Sequence, residues 1–150
     1  LCADTLKRWG MPDARIAVAA LNPHGGEGGL LRREEIEAIQ PAVLKAANMD
    51  IDATGPLPAD SIFNRAIAGE FDVVLAMYHD QGHIPIKLIG FDSAINITLG
   101  LPIIRTSPTH GTAFDRAWNA RTPADPSGMI ESIRMAAQLA ALRSRADCDA

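Results

Sequence analysis

Residues 16–29 read Ile-Ala-Val-Ala-Ala-Leu-Asn-Pro-His-Gly-Gly-Glu-Gly-Gly. The apolar run Ile16 to Leu21 suits a buried strand, and the asparagine, proline and glycines that follow cannot continue as regular structure. The same design recurs downstream. Phe71 to Met77 reads as a second apolar strand running straight into Tyr78-His79-Asp80-Gln81-Gly82. With helical segments between such strands, the pattern implies an α/β fold with a largely parallel sheet.

Around these two strands the chain is punctuated clearly. Residues 1–9 carry Leu1, Leu6 and Trp9 among polar neighbours, and Gly10 is placed to end a helix there. Residues 32–47 read as a helix with Glu34 and Glu35 in its first turn, which Pro41 should kink or restart. Gly55-Pro56-Leu57-Pro58 reads as a rigid loop, and Asp60 as the cap of a short helix ending near Gly69. Ile84 to Ile89, Ala94 to Leu99 and Pro102 to Arg105 read as short strands or extended segments. The last helix begins with Asp125 as N-cap and Pro126 at the first position. Its apolar face is expected to hold Met129, Ile130, Ile133, Ala137 and Ala140, with Glu131, Arg134 and Gln138 opposite. No repeat or low-complexity segment interrupts the 150 residues.

Composition bounds the function. Apolar residues make up 47% and charged residues 21%, the balance of a soluble globular domain with a real core. A formal charge of −4 argues against nucleic acid or an anionic membrane as partner, though not against a small anionic substrate. No apolar run approaches the roughly 18 residues of a membrane span. Cys2 and Cys148 stand almost at opposite ends, without metal-type spacing or a disulfide framework, so a reducing cytoplasm is expected. Leu1 opens inside a helix, and the chain is expected to be a piece of a longer one.

Both apolar strands end near a histidine, and in open α/β sheets ligand sites gather at the carboxyl ends of strands. If the strands are near neighbours, His24 and His79 face one crevice and could share a divalent ion such as Zn²⁺ or Co²⁺. They could equally be ordinary histidines bonded to backbone. The glycines of residues 25–29 could cradle an anion or merely form a mobile turn, and neither the P-loop nor the dinucleotide fingerprint is present. Lys87 and Arg105 lie in mostly apolar segments, where a charge needs a partner: a substrate anion, or an internal acid such as Asp80 or Asp92. Asn96 interrupts an apolar run, and His110-Gly111-Thr112-Ala113 is a polar loop.

Together these segments resemble one family. Leu21-Asn22-Pro23-His24-Gly25-Gly26-Glu27-Gly28-Gly29 is similar to the LNPHxGExG signature of the 4-hydroxythreonine-4-phosphate dehydrogenase (PdxA) family. Met77-Tyr78-His79-Asp80-Gln81-Gly82 is similar to its MYHDQG segment. Asn96-Ile97-Thr98-Leu99-Gly100-Leu101-Pro102, Arg105-Thr106-Ser107 and His110-Gly111-Thr112-Ala113 resemble the blocks that follow. Order and spacing agree from about residue 1 to about residue 142.

The resemblance implies an isocitrate/isopropylmalate dehydrogenase-like, three-layer α/β fold, of which residues 1–150 would be the C-terminal half, with the N-terminal half absent. It implies a homodimer with its active site at the subunit interface, NAD or NADP as cofactor, and a divalent metal (Zn, Co or Mg) held by three histidines. Two of these carry over to His24 and His79, and the third lies upstream of Leu1. Substrate contacts carry over to Lys87, Asn96 and Arg105; a further His-Thr contact is upstream. His110, Gly111, Thr112 and Ala113 carry over as cofactor-binding. Asp80 is a catalytic candidate by adjacency alone, and His83 reads as structural or as a support behind the ligands.

Within the family, Gly82-His83-Ile84-Pro85-Ile86-Lys87 departs from the Gly-Leu-Pro-Val-Leu-Lys of the vitamin B6 enzymes. Together with Ala113-Phe114-Asp115-Arg116-Ala117-Trp118, it is similar to a branch oxidising 4-phospho-D-threonate or 4-phospho-D-erythronate, with decarboxylation. The alternatives are 4-hydroxythreonine-4-phosphate dehydrogenase of pyridoxal phosphate biosynthesis, a terephthalate-type dihydrodiol dehydrogenase, and an inactive truncated fragment. A metal-dependent hydrolase or aldolase without nicotinamide is the rival chemistry.

Overall fold

Ile16–Ala19 forms β1 of the computed structural model, and all four residues are buried, as a run without polar alternation requires. The structure describes residues 1–119 and 121–148, with side chains as far as Ser144. The Cys148 thiol is therefore outside the described residues, while Cys2 is a free, half-buried cysteine. The chain divides into two compact units, Gly10–Pro85 and Leu1–Trp9 with Ile86–Ala150. The boundary between Pro85 and Ile86 falls inside a helix rather than in a linker, so no composition shift marks it.

The first unit is built on a three-stranded parallel sheet. After β1 the chain passes through a π-type turn, Glu35–Ile39, into α2, Gln40–Ala47. Pro41 sits in the first turn of α2, where its missing N–H costs nothing, so the expected restart falls there. The helical stretch itself begins at Glu35 rather than Arg32. β2 (Ala53–Leu57), α3 (Ile62–Ile67) and β3 (Val73–Leu75) follow, and the strands stand in the order β2-β1-β3. Ala17, Ala19 and Ile62 form the core, with Leu57, Phe63, Phe71 and Val74 packed against it.

Two local expectations fail here for physical reasons. Gly55-Pro56-Leu57 is strand, not loop: β2 lies at the sheet edge, where a proline without an N–H is tolerated. The β1–β2 register slips between Ala17 and Ala19, where a β-carbon on Gly55 would stand 2.5 Å from the Val18 carbonyl oxygen. Helix α3 is entered through Ser61, not Asp60, and its hydroxyl donates back to the Pro58 carbonyl at 3.4 Å. At the amino end of the sheet Arg15 clasps Asp72, its Nε and Nη2 each donating at 3.0 Å and its backbone N–H at 2.9 Å. These bonds hold the Asp72 carboxyl well below its usual range, at about 2.

α4 spans His79–Gly90. Ile84 to Ile89 is thus helical, not extended. Its apolar residues are not drawn into a core, for Ile84, Ile86, Leu88 and Ile89 are all exposed.

In the second unit β4 (Ile95–Thr98) and β5 (Arg105–Pro108) pair antiparallel, Asn96 opposite Ser107 and Thr98 opposite Arg105. The second strand starts at Arg105 rather than ending there. α5, Ser127–Cys148, packs on this pair, and α1, Cys2–Arg8, packs on α5. Asp125 does stand before α5 and accepts from the Ser127 N–H at 2.9 Å and hydroxyl at 2.7 Å, which lowers its own pKa. The buried face of α5 is not the expected one. Ser132 (2% exposed) and Leu139 (6%) face inward, while Met129, Ile130 and Ile133 are exposed. Close approach explains the rotation: a β-carbon on Gly128 would lie 3.1 Å from the Pro108 side chain, and Ser132 satisfies its hydroxyl on the Gly128 carbonyl at 2.8 Å. Among the described residues no helix is long and apolar enough to cross a membrane.

Candidate active site

The strand order makes the carboxyl edge of β1 and β3 the place to look. β1 pairs in parallel with β3, so the segments leaving both strands emerge at the same edge of the sheet, where the ligand sites of open α/β sheets gather. His24 follows β1 and His79 follows β3, and these two strands pair as neighbours.

His24 is held by its own loop. Asn22 Oδ1 accepts from the backbone N–H of His24 at 3.0 Å and of Gly26 at 3.2 Å. The next five residues, Gly25 to Gly29, all take positive φ, between 43° and 99°. Four of the five are glycines because side chains rarely adopt that conformation. At Gly26 there is also no room, since a β-carbon would stand 2.8 Å from Glu35 Oε2. His79 is the first residue of α4, and its ring stacks on that of His83 with centroids 4.0 Å apart.

Each imidazole meets a carboxylate through the same nitrogen. His24 Nδ1 lies 2.9 Å from Glu27 Oε1, and His79 Nδ1 lies 2.7 Å from Asp80 Oδ1. A proton on Nδ1 leaves Nε2 with its lone pair, the tautomer in which a carboxylate-supported histidine binds a metal. The chemistry of this donor set therefore fits a divalent ion. The number does not suffice alone: no group of three His, Cys, Asp or Glu side chains that could hold an ion is found among the described residues.

Behind the histidines lie two polar side chains that sequence reading passed over, Gln81 (8% exposed) and Glu35 (3%). Gln81 donates through Nε2 to the Ala20 carbonyl and accepts from the Met77 N–H through Oε1, both at 2.7 Å. Glu35 Oε1 accepts from the Leu21 N–H at 3.0 Å, and its Oε2 is buried with no partner among the described residues. The only sequence signal was their place beside the two histidine motifs.

In the other unit, Asn96, Thr98, Arg105 and Ser107 share one face of the β4–β5 pair, since directly opposite residues point the same way. Arg105 Nη1 donates to Thr98 Oγ1 at 3.0 Å. The opposite face meets α5, where Thr106 Oγ1 donates to the Ser132 carbonyl at 2.9 Å. Arg105 also lines a cavity of about 380 Å³ together with Arg8, Trp9, Thr98, Leu139 and Arg143. None of its three arginines is paired with a carboxylate among the described residues, so this groove favours anions. Lys87 lies exposed on the last turns of α4. His110 to Ala113 form an exposed turn in which His110 Nδ1 lies 2.8 Å from the Gly111 carbonyl oxygen and Ala113 has φ 50°.

Comparison with known proteins gives a consistent result. The family described as pyridoxal phosphate biosynthetic protein PdxA matches residues 1–136. The 4-hydroxythreonine-4-phosphate dehydrogenase of Desulforapulum autotrophicum is 55% identical over 138 residues, 91% of this chain and 40% of that protein. The D-threonate 4-phosphate dehydrogenase of Pectobacterium atrosepticum is 53% identical over 135 residues, 90% of this chain and 41% of that protein. The crystal structure of a Klebsiella pneumoniae 4-hydroxythreonine-4-phosphate dehydrogenase superposes with a TM-score of 0.79 at 50% identity, over 90% of this chain and 40% of that one. The chain thus spans about 40% of the length of the relatives it matches.

Proposed function

The chain belongs to the pyridoxal phosphate biosynthetic protein PdxA family, and on that ground we propose that it forms part of a dehydrogenase oxidising a hydroxyl group with NAD or NADP. The substrate class we infer is a 4-phosphorylated hydroxy acid, 4-phospho-D-threonate or 4-phospho-D-erythronate, and the oxidised β-keto acid then loses CO₂. The observation that carries the site assignment is the pairing of β1 with β3, which sets His24 and His79 at one sheet edge with each Nδ1 on a carboxylate.

In this reading Nε2 of His24 and Nε2 of His79 hold a divalent ion (Zn, Co or Mg) together with a ligand from outside the present residues. Such an ion, when bound, supplies Lewis-acid polarisation at the oxygen being oxidised. Lys87 and Arg105 hold the anionic end of the substrate, the guanidinium by two parallel bonds to a phosphate, and Asn96 orients it. Binding energy from a phosphate that does not react is thereby used to position the carbon that does. The Asp80 carboxylate is engaged on His79 Nδ1, which favours an orienting role over that of general base. His110 to Ala113 contribute to the nucleotide site, and a homodimer with the site at its interface belongs to the same proposal.

A second reading, 4-hydroxythreonine-4-phosphate dehydrogenase, is favoured by the Desulforapulum relative, whereas residues 82–93 and 113–118 favour the threonate branch. The test is nicotinamide reduction by the natural protein that carries this sequence, with divalent metal present. Faster turnover of 4-phospho-D-threonate than of 4-phosphohydroxy-L-threonine is the expected result. The reverse order would move the protein to the vitamin B6 branch, and no reduction with either would sink both readings.

A further inference from the structure

We propose that Glu35 and Gln81 are positioning residues that fix where the imidazoles of His24 and His79 stand, by gripping from both sides the one peptide unit between Ala20 and Leu21. The inference rests on the reading of these histidines as metal ligands and extends it to the groups behind them.

The two bonds that define the grip belong to a single amide plane. Its carbonyl, that of Ala20, accepts from Gln81 Nε2 at 2.7 Å, and its N–H, that of Leu21, donates to Glu35 Oε1 at 3.0 Å. Ala20 is where β1 lets go of the sheet: its own N–H still donates to the Leu57 carbonyl at 2.8 Å. Beyond it, the strand ladder would leave the Ala20 carbonyl and the Leu21 N–H without partners. Side chains take the place of the ladder.

Each side chain comes from the segment that carries one of the histidines. Glu35 opens the helical stretch that follows the glycine loop, and its Oε2 lies against Gly26, two residues from His24. Gln81 is two residues from His79 in the first turn of α4, and its Oε1 also accepts from the Met77 N–H at 2.7 Å, where the chain leaves β3. A displacement of either segment is thus felt at the same peptide plane, and through it by the other. Stability alone is a poor account of the arrangement. A carboxylate 3% exposed, one of whose oxygens has no partner among the described residues, carries a desolvation cost that a neutral acceptor would avoid.

The test uses side chains one methylene shorter, which keep their chemistry and lose their reach. In the natural protein carrying this sequence, Glu35→Asp and Gln81→Asn are titrated with Co²⁺ alone, beside wild type, Glu35→Gln and His79→Ala. Both shortened variants should bind Co²⁺ about 10- to 100-fold more weakly, the range for groups that orient metal ligands. Glu35→Gln retains the acceptor for Leu21 and should stay within about threefold of wild type. The double variant should lose less than the product of the two single losses, because both act on one peptide. Faster hydrogen exchange at the Leu21 amide should accompany each loss.

Shortened variants that lower the melting temperature while leaving Co²⁺ affinity within about twofold would assign the pair a structural role only and overturn the proposal. If one shortened variant does not fold, the other decides: Co²⁺ affinity lowered about 10-fold or more supports the proposal, and affinity within about twofold overturns it. Unchanged Co²⁺ binding in His79→Ala would instead remove the ligand reading, and this inference with it.

Discussion

Asp72 and Arg15 tie the start of β3 to the start of β1 at the edge opposite the histidines, through three hydrogen bonds to one carboxylate. The folded-state pKa of Asp72, about 2, lies below that of an unfolded aspartate. A depressed carboxyl contributes stability that is fully present above about pH 4 and is lost as pH falls toward 2. Asp72→Asn should therefore be less stable than wild type at neutral pH, with the gap closing as the solution is acidified from pH 5 to 2. Denaturant midpoints measured across that range check it, and a gap independent of pH would mean the pair acts through hydrogen bonding alone. The residues at the other edge were legible differently. Histidines at strand ends announce themselves by type, whereas Gln81 and Glu35 belong to types that are usually solvated. Only their burial singles them out.

Among the elements, β2 shows most clearly how tertiary context overrides local pattern. Gly-Pro-Leu-Pro reads as a loop, yet three of these residues complete a strand because β1 offers a parallel partner along an edge where Pro56 owes no hydrogen bond. Gly55 is the element's tightest point. Gly55→Ala would drive a β-carbon against Val18 and should destabilise the protein by about 1–3 kcal/mol, the range for overpacking. Equilibrium denaturation is the measurement, and a loss under half a kilocalorie would mean that β2 slides away freely. α5 makes the same point about faces. Its large apolar residues marked one side, but Gly128 and Ser132 allow closer approach on another, and that is the side that packs. Helix existence, Asp125 at the entry and Gly10 and Gly69 at the exits were all legible, because they depend on the residues themselves. The face of α5, the strand β2 and the helicity of residues 84–89 were not, because each depends on a neighbour.

For the molecule as a whole, membership of the PdxA family makes Arg105 the residue whose removal is most informative. It shares a strand-pair face with Asn96 and lines a groove with Arg8 and Arg143. In the natural protein carrying this sequence, Arg105→Ala should raise KM for a phosphorylated substrate about 10- to 100-fold, as loss of charge-assisted hydrogen bonds implies. It should change KM much less for the dephosphorylated analogue; equal effects on both would remove the phosphate role. By itself the sequence determined the α/β class, the family and the two strand-end histidines, since buried strands, turn glycines and motif spacing are local properties written in residue type. Only the tertiary structure decided that β1 and β3 are adjacent and that Glu35 and Gln81 close on one peptide. Those are relations between segments 14 to 61 residues apart, set by packing and by the need of every buried polar group for a partner.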